Sequence, residues 1–280
     1  MLRVGLIQLC SGRDPQANLQ ATETLVRQAA ADGARFVLTP EVTNCITSDR
    51  AHQAAVLQPQ DSDPTLARLR DLAAELGIWV LIGSLGIKTA DADGRYANRS
   101  FMIGPDGVLR AQYDKIHMFD VQVSASETYR ESASYRPGHN AVVCQTDFAA
   151  VGMTICYDLR FAYLHRALAQ AGAQILTVPA AFSPVTGAAH WQVLLQARAI
   201  ETGCFVLAPA QTGLNDTHNG AQRRTYGHSM VVAPWGEVLL DAGTAPGDYC
   251  LDLDLAQVDQ ARARVPALGH DRSFDGPAHV

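Results

Sequence analysis

The chain begins with an apolar run at residues 3–9, continues with a helix-like stretch from Pro15 to about Asp32, and returns to an apolar run at residues 36–39. Leu19, Leu25, Val26 and Ala29 share one face of the middle stretch, and Gly33 stops it. Two short buried-type strands joined by an amphipathic helix make a β-α-β start. A helical crossover returns the chain to the same end of the sheet, so this start favours a parallel or mixed sheet.

The rest of the sequence keeps mixing the two patterns. Pro64 opens a second helix with Leu66, Leu69, Leu72, Ala73 and Leu76 on its apolar face, and Gly77 ends it. A buried-type strand follows at 78–82. Strands at 98–103 and 108–113 flank the hairpin turn Gly104-Pro105-Asp106-Gly107. Residues 120–140 are polar and read as a long loop, a feature that in compact domains is often functional. Strands are expected near 141–145, 150–155, 174–179, 204–208, 230–233, 238–240 and 249–253. Helices are expected near 161–171, 188–202 and 255–264. No internal repeat or low-complexity linker interrupts the pattern, so residues 1–280 read as a single domain. Two sheets with helices outside would fit this count of strands, and so would one doubly wound sheet.

Composition narrows the partners. Hydrophobic residues make up 48% and charged residues 18% of 280, which excludes a disordered chain. A net charge of -6 argues against nucleic acid as a partner. The first residues lack the form of a signal peptide, and no apolar run approaches a membrane span, so a cytoplasmic protein is expected. Cys10, Cys45, Cys144, Cys156, Cys204 and Cys250 form no CxxC pair. With His117, His190 and His228 outside any HExxH pattern, no metal site and no cofactor is expected.

Three segments end an apolar run on a reactive side chain. Cys156 follows Val151-Gly152-Met153-Thr154-Ile155 and stands just before a helix. A nucleophile on a strand-to-helix turn is open to attack, and the next backbone N–H can face an oxyanion. Cys144 lies in a similar run but has no helix after it. Glu41 follows a strand that Pro40 keeps extended, where a carboxylate can serve as general base and acid. Lys115 ends the strand carrying Tyr113 and Asp114. Taken singly, each residue has an ordinary reading: a core thiol, a solvated loop carboxylate, a snorkelling lysine.

Taken together, Leu38-Thr39-Pro40-Glu41, Tyr113-Asp114-Lys115-Ile116-His117 and Ile155-Cys156-Tyr157-Asp158-Leu159-Arg160-Phe161 resemble the Glu, Lys and Cys boxes of the nitrilase superfamily of carbon–nitrogen hydrolases. The resemblance extends to Ala188-Ala189-His190-Trp191, Ala197-Arg198-Ala199-Ile200-Glu201 and Tyr226-Gly227-His228-Ser229-Met230. It implies an α/β fold of four layers, α-β-β-α, built on two mixed sheets. It also implies that Cys156 attacks an amide, that Glu41 moves protons, and that Lys115 and the Tyr157 N–H hold the oxyanion. Glu131, rather than Glu127, matches a second glutamate that orients the lysine.

Phe119-Asp120-Val121, Glu131-Ser132 and Ala208-Pro209-Ala210-Gln211 are most similar to the Nit branch, which hydrolyses small α-keto-acid amides such as deaminated glutathione. Neighbouring chemistries are those of ω-amidase on α-ketoglutaramate and of N-carbamoyl hydrolases. A different class would be an inactive binding scaffold. Two departures from the branch stand out, Ala162 in place of proline and Ser124-Ala125-Ser126 in place of a glycine-rich turn. Candidate substrate contacts are Tyr157, Arg160, Phe182, Arg223 and Arg224, the arginines because a guanidinium grips a carboxylate bidentately. The segment 188–203 resembles the family's interface helix, so a homodimer is expected.

Overall fold

A computed structural model describes residues 1–123, 127–218 and 221–277. Strand β1 (Leu2–Gln8), helix α1 (Pro15–Ala31) and strand β2 (Phe36–Leu38) form the β-α-β start, with β1 and β2 parallel. Asp14 caps α1 by accepting the Gln16 N–H at 2.9 Å. A short helix α2 (Arg50–Val56) and helix α3 (Pro64–Leu76) follow. Strand β3 (Trp79–Lys88) then lies parallel to β2, and β4 (Tyr96–Ile103) and β5 (Leu109–Asp114) continue antiparallel.

Residues 120–140 carry structure that their polar composition hides. Strands β6 (Asp120–Gln122) and β7 (Thr128–Arg130) pair, a 3-10 turn covers Glu131–Ala133, and β8 (Tyr135–Arg136) pairs with β4. The Ser124-Ala125-Ser126 departure lies outside the described residues. The second half runs through β9 (Val142–Gln145), β10 (Ala150–Met153), a 3-10 turn at Cys156–Arg160, α4 (Ala162–Gln170), β11 (Ile175–Thr177), α5 (Pro184–Thr202) and β12 (Phe205–Ala208). A hairpin of β13 (Thr212–His218) and β14 (Ala221–Tyr226) precedes β15 (Met230–Val232), β16 (Val238–Asp241), β17 (Gly247–Leu253) and α6 (Ala256–Arg264). Ala162, the departure from proline, is the first residue of α4.

The strands form two main sheets, ordered β17-β1-β2-β3-β4-β5 and β16-β15-β12-β11-β10-β9. Each has three parallel strands at its centre and antiparallel strands outside them. Alternation sets the layers. In the first sheet Val4, Leu6, Phe36, Leu38 and Leu81 join a core that contains Val151, Met153 and Ile175 of the second sheet. Ile7, Val37, Val80 and Ile82 point the other way, onto Val26 and Ala29 of α1 and Leu69 and Leu72 of α3. Helices α4 and α5 cover the outer face of the second sheet. This is the four-layer α-β-β-α arrangement, and it excludes the single doubly wound sheet.

Strand β3 runs six residues beyond the expected end at Ile82 because glycines interrupt its apolar pattern. A Cβ on Gly83 would lie 2.0 Å from the Thr39 carbonyl oxygen and 2.5 Å from the Pro179 side chain. Only glycine lets β3 pass beneath the Glu41 turn where the two sheets meet.

Candidate active site

Strand ends in both sheets, with the turn after the β6–β7 hairpin, supply the site. Beyond β2 the chain turns through Thr39, Pro40, Glu41 and Val42. The Thr43 hydroxyl donates to the Pro40 carbonyl at 2.8 Å, the Val42 N–H donates to the Ser84 hydroxyl at 2.7 Å, and Gln211 Nε2 donates to the Glu41 carbonyl at 3.1 Å. Val42 has φ of 49°. The turn is therefore held on three sides, and it aims the Glu41 carboxylate inward.

Lys115, the residue after β5, meets that carboxylate. Its Nζ lies 2.8 Å from Glu41 Oε1 and 2.9 and 2.8 Å from the two oxygens of Glu131. Asn98 on β4 spans the same two acids, with Nδ2 donating to Glu41 Oε1 at 2.9 Å and to Glu131 Oε1 at 3.2 Å. Backbone N–H groups complete the carboxylates: Ala181 donates to Glu41 Oε2 at 2.8 Å and Phe119 to Glu131 Oε2 at 2.6 Å. Glu127 instead accepts from the Tyr129 hydroxyl at 2.6 Å.

The thiol arrives from the other sheet. Three residues beyond β10, Cys156 begins a 3-10 turn with φ of 49°, a left-handed conformation that is costly for a side chain and recurs at catalytic turns. Its N–H donates to the Pro179 carbonyl at 2.9 Å, and its thiol lies near enough to the Glu41 carboxylate for each to shift the other's titration. The turn's first 3-10 bond runs from the Asp158 N–H to the Ile155 carbonyl, so the Tyr157 N–H precedes it beside the sulfur. Asp158 is fully buried and anchors the turn. Its carboxylate accepts from the Ile155 N–H at 2.9 Å, the Tyr113 hydroxyl at 2.7 Å and the His117 N–H at 3.1 Å. The thiol turn and the segment bearing Lys115 are thereby joined.

Burial and charge act against each other here. Burial favours a neutral Glu41, but the Lys115 charge and hydrogen bonds from Lys115, Cys156 and Asn98 outweigh it and hold the carboxyl below its ordinary 4.5. Burial likewise favours a neutral Lys115, but the Glu131 and Glu41 carboxylates keep its ammonium well above 10.5. Burial first, then the Glu41 charge, pushes the Cys156 thiol well above 9.0, against the pull of Lys115 and the Ala181 N–H. The resting site is a neutral thiol beside an ionised carboxylate. Proton transfer from sulfur to Glu41 must then accompany attack.

These groups form the floor of a cavity of about 270 Å³. Tyr157, Phe182 and Arg223 line it, together with Ser183, Thr186 and Tyr129. Arg223 on β14 donates through Nη2 to the Ala181 carbonyl at 3.0 Å, and its guanidinium lies 4.8 Å from the Tyr129 ring centre. Two of the sequence candidates are placed differently. Arg160 does not line the cavity; its guanidinium sits 5.8 Å from the Tyr157 ring and 5.7 Å from the Phe182 ring, behind the wall. Arg224 is exposed and donates to Gln222, because neighbours on a strand face opposite ways and Arg223 takes the inward position. Among the described residues, the side chains close enough to share a metal ion are Asp32, Asp248 and Cys250, and none of them lines the cavity.

The sequence pattern of the carbon–nitrogen hydrolase family matches residues 3–263. The chain belongs to that family. The hydrolase is 38% identical over 270 residues to the deaminated glutathione amidase of Yersinia enterocolitica, covering 96% of this chain and 92% of that protein. It is 38% identical over 272 residues to the deaminated glutathione amidase of Homo sapiens, covering 96% and 82%. The crystal structure of the NitFhit protein of C. elegans superposes with a TM-score of 0.88 at 33% identity, over 97% of this chain and 65% of the worm protein. The resemblance to the Nit branch of the nitrilase superfamily is thereby shown, and with it a hydrolase of linear amides.

Sequence reasoning left out four groups around the hydrolase's floor. Asn98 looks like one polar residue within a strand; only its sharing a face with the buried Met102 hinted at use. The Ala181 and Phe119 N–H groups carry no side-chain signal. Gln211, quoted only as a branch-like residue, holds the backbone of the Glu41 turn and exchanges hydrogen bonds with Ser11 at 3.0 and 2.9 Å.

Proposed function

We propose that the protein is a cysteine-dependent amidase of the deaminated glutathione amidase type. The single observation that carries this reading is the buried cluster of Glu41, Lys115, Glu131 and Cys156, with an acid held ionised beside a thiol held neutral. Cys156 Sγ attacks the amide carbon while Glu41 takes the thiol proton. Negative charge gathers on the carbonyl oxygen, where the Lys115 ammonium and the Tyr157 N–H meet it. The carbon–nitrogen bond breaks, Glu41 returns the proton to the leaving nitrogen, and an acyl thioester remains on Cys156. Glu41 then draws a proton from water, whose oxygen attacks the thioester carbon; the carbon–sulfur bond breaks, and Glu41 passes the proton to the departing sulfur, which frees the acid and restores the thiol. Glu131 keeps Lys115 charged and in place.

The substrate assignment draws on the similar amidases named above and on a cavity suited to a small molecule. Deaminated glutathione and α-ketoglutaramate, assayed side by side for amine or ammonia release, test it. A higher kcat/KM for deaminated glutathione is expected. Clear preference for α-ketoglutaramate would move the protein to ω-amidase, and turnover of neither would remove the assignment.

We read residues 1–280 as one hydrolase domain that works as a homodimer through α5. Val193 and Ile200 lie seven residues apart, so they share a face of that helix, and they are 67% and 60% exposed. Sedimentation as a monomer at micromolar concentration would count against the dimer. Among the described residues no helix is long and apolar enough to cross a membrane, and all six cysteines are free. Unpaired thiols suit a reducing cytoplasm.

A further inference from the structure

His117 closes the segment that carries Lys115, yet it stands outside the cavity lining and takes no part in the bond changes. Only 12% of its side chain is exposed. Chemistry fixes how its ring is used. Nδ1 lies 2.7 Å from Asp158 Oδ1, and a carboxylate oxygen can only accept, so Nδ1 carries a hydrogen. Nε2 meets the hydroxyl of Tyr163 on α4, a residue 66% exposed. The ring lies flat on Phe161, the residue that leads into α4, with centres 3.5 Å apart and planes 7° apart.

Asp158 divides its two oxygens between two sets of donors. Oδ2 accepts from the Tyr113 hydroxyl at 2.7 Å and the Ile155 N–H at 2.9 Å. Among the described residues, Oδ1 accepts from His117 alone, through the backbone N–H at 3.1 Å and the ring at 2.7 Å. The imidazole is therefore the closer of the two donors that hold one whole side of a fully buried carboxylate.

Ile155 carries this hold to the nucleophile. Its N–H donates to the Asp158 side chain, and its carbonyl accepts from the Asp158 N–H at 3.1 Å. Both ends of Ile155 are thus closed by Asp158. Cys156 comes next with φ of 49°, a conformation that persists only where the surroundings over-determine it. In the other direction, His117 is two residues from Lys115. The Lys115 N–H donates to the Asn98 carbonyl at 2.9 Å, and its carbonyl accepts from the Gly138 N–H at 2.7 Å. One ring thereby ties the sulfur of one sheet to the ammonium of the other.

We infer that His117 is a positioning residue for thiol attack: its Nδ1–H holds the Asp158 clamp that sets the Cys156 turn against Glu41 and Lys115. It touches no reacting atom. This role rests on the amidase reading of the same site.

The two ring nitrogens can be tested separately. An asparagine amide reaches the place of Nδ1, and a glutamine amide reaches that of Nε2. His117→Asn keeps a donor for Asp158, whereas His117→Gln keeps only a partner for Tyr163. Tyr163→Phe removes the outer bond and leaves the inner one. Each variant and wild type are assayed for kcat and KM on deaminated glutathione and α-ketoglutaramate. Thermal unfolding is recorded, and iodoacetamide modification of Cys156 is followed by peptide mass spectrometry. His117→Gln should lose about 10- to 100-fold in kcat with little change in KM, the worth of one hydrogen bond to a charged group. His117→Asn should recover most of that loss, and Tyr163→Phe should stay within about twofold of wild type. Modification of Cys156 should slow in the same order. A merely structural role would lower the unfolding midpoints without separating Asn from Gln in kcat. Equal kcat in those two variants, a loss carried by KM, or a loss in Tyr163→Phe as large as in His117→Gln would overturn the inference. Wild type that turns over neither amide, with Cys156 modification still ranked wild type, then Asn, then Gln, would overturn the amidase reading and leave the role of His117 standing.

Discussion

The floor and the wall of the cavity are built on opposite terms. At the floor every charged group already has its partner: Lys115 holds Glu41 and Glu131, Asn98 bridges both acids, and backbone N–H groups fill the remaining oxygens, while the neutral Asn98 Oδ1 is left without one. On the wall, Ser183 Oγ and Arg223 Nη1 are buried and unpartnered. Apart from Glu131, which follows the β6–β7 hairpin, the floor hangs from strands of two packed sheets, whereas Arg223 and Tyr129 come from two-stranded hairpins outside those sheets. The contrast teaches where free energy is held. Bond-breaking groups are organised before substrate arrives, so they cost no rearrangement in the transition state. On the proposed amidase reading, the wall groups are the ones left to take up substrate, and that makes them selective.

This division breaks if floor and wall variants behave alike. The largest effect is expected from Lys115→Met, which leaves two buried carboxylates facing each other. Stability should fall by about 3–5 kcal/mol in denaturant unfolding, the cost of breaking a buried ion pair from one side, and amide turnover should vanish. Asn98→Ala keeps the charges but removes their bridge. Its kcat should drop about 10- to 100-fold for charged and neutral amides alike, since hydrogen bonds to charged groups are lost. A change confined to KM would move Asn98 from the floor to the wall.

Tyr129→Leu removes the ring under Arg223 and acts on the wall only. A rise of about fivefold in KM for a carboxylate-bearing amide is expected, with kcat near wild type, because an exposed cation–π contact contributes about 0.5–1 kcal/mol. The smallest effect is expected from pH. Glu41, held below 4.5, contributes stability above that value and loses it only as pH falls through its lowered folded value. Lys115, held above 10.5, contributes below that value and loses it only as pH rises through its raised folded value. Activity and unfolding midpoint should therefore change little between pH 5 and pH 8, within about twofold for kcat. A steep loss of kcat between pH 7 and pH 5 would show that Glu41 is not the ionised base.

The floor was legible in the sequence for a physical reason. Glu41, Lys115 and Cys156 stand one to three residues past apolar strands, and strand ends are rigid places whose patterns persist in one dimension. The wall was less legible. The β6–β7 and β13–β14 hairpins consist of polar residues such as Asp120-Val121-Gln122 and Gln222-Arg223-Arg224, which lack the alternation that marks a half-buried strand. Without the hairpin, Arg223 and Arg224 looked equivalent, and only strand parity separates them. Ser183 was hidden because helix α5 starts at Pro184, four residues before the expected position. Two sheets rather than one also came from the family resemblance, since alternation alone tells which strands are buried but not what buries them.

The central claim is that a carboxylate and an ammonium from one sheet and a sulfur from the other act as one unit. The most direct measurement is amide turnover by Cys156→Ala, followed by ammonia or amine release, with unfolding recorded on the same sample. The account predicts a loss of at least about 10³-fold, as for removal of a covalent nucleophile, with a native unfolding transition. Turnover within tenfold of wild type in the folded variant would contradict it.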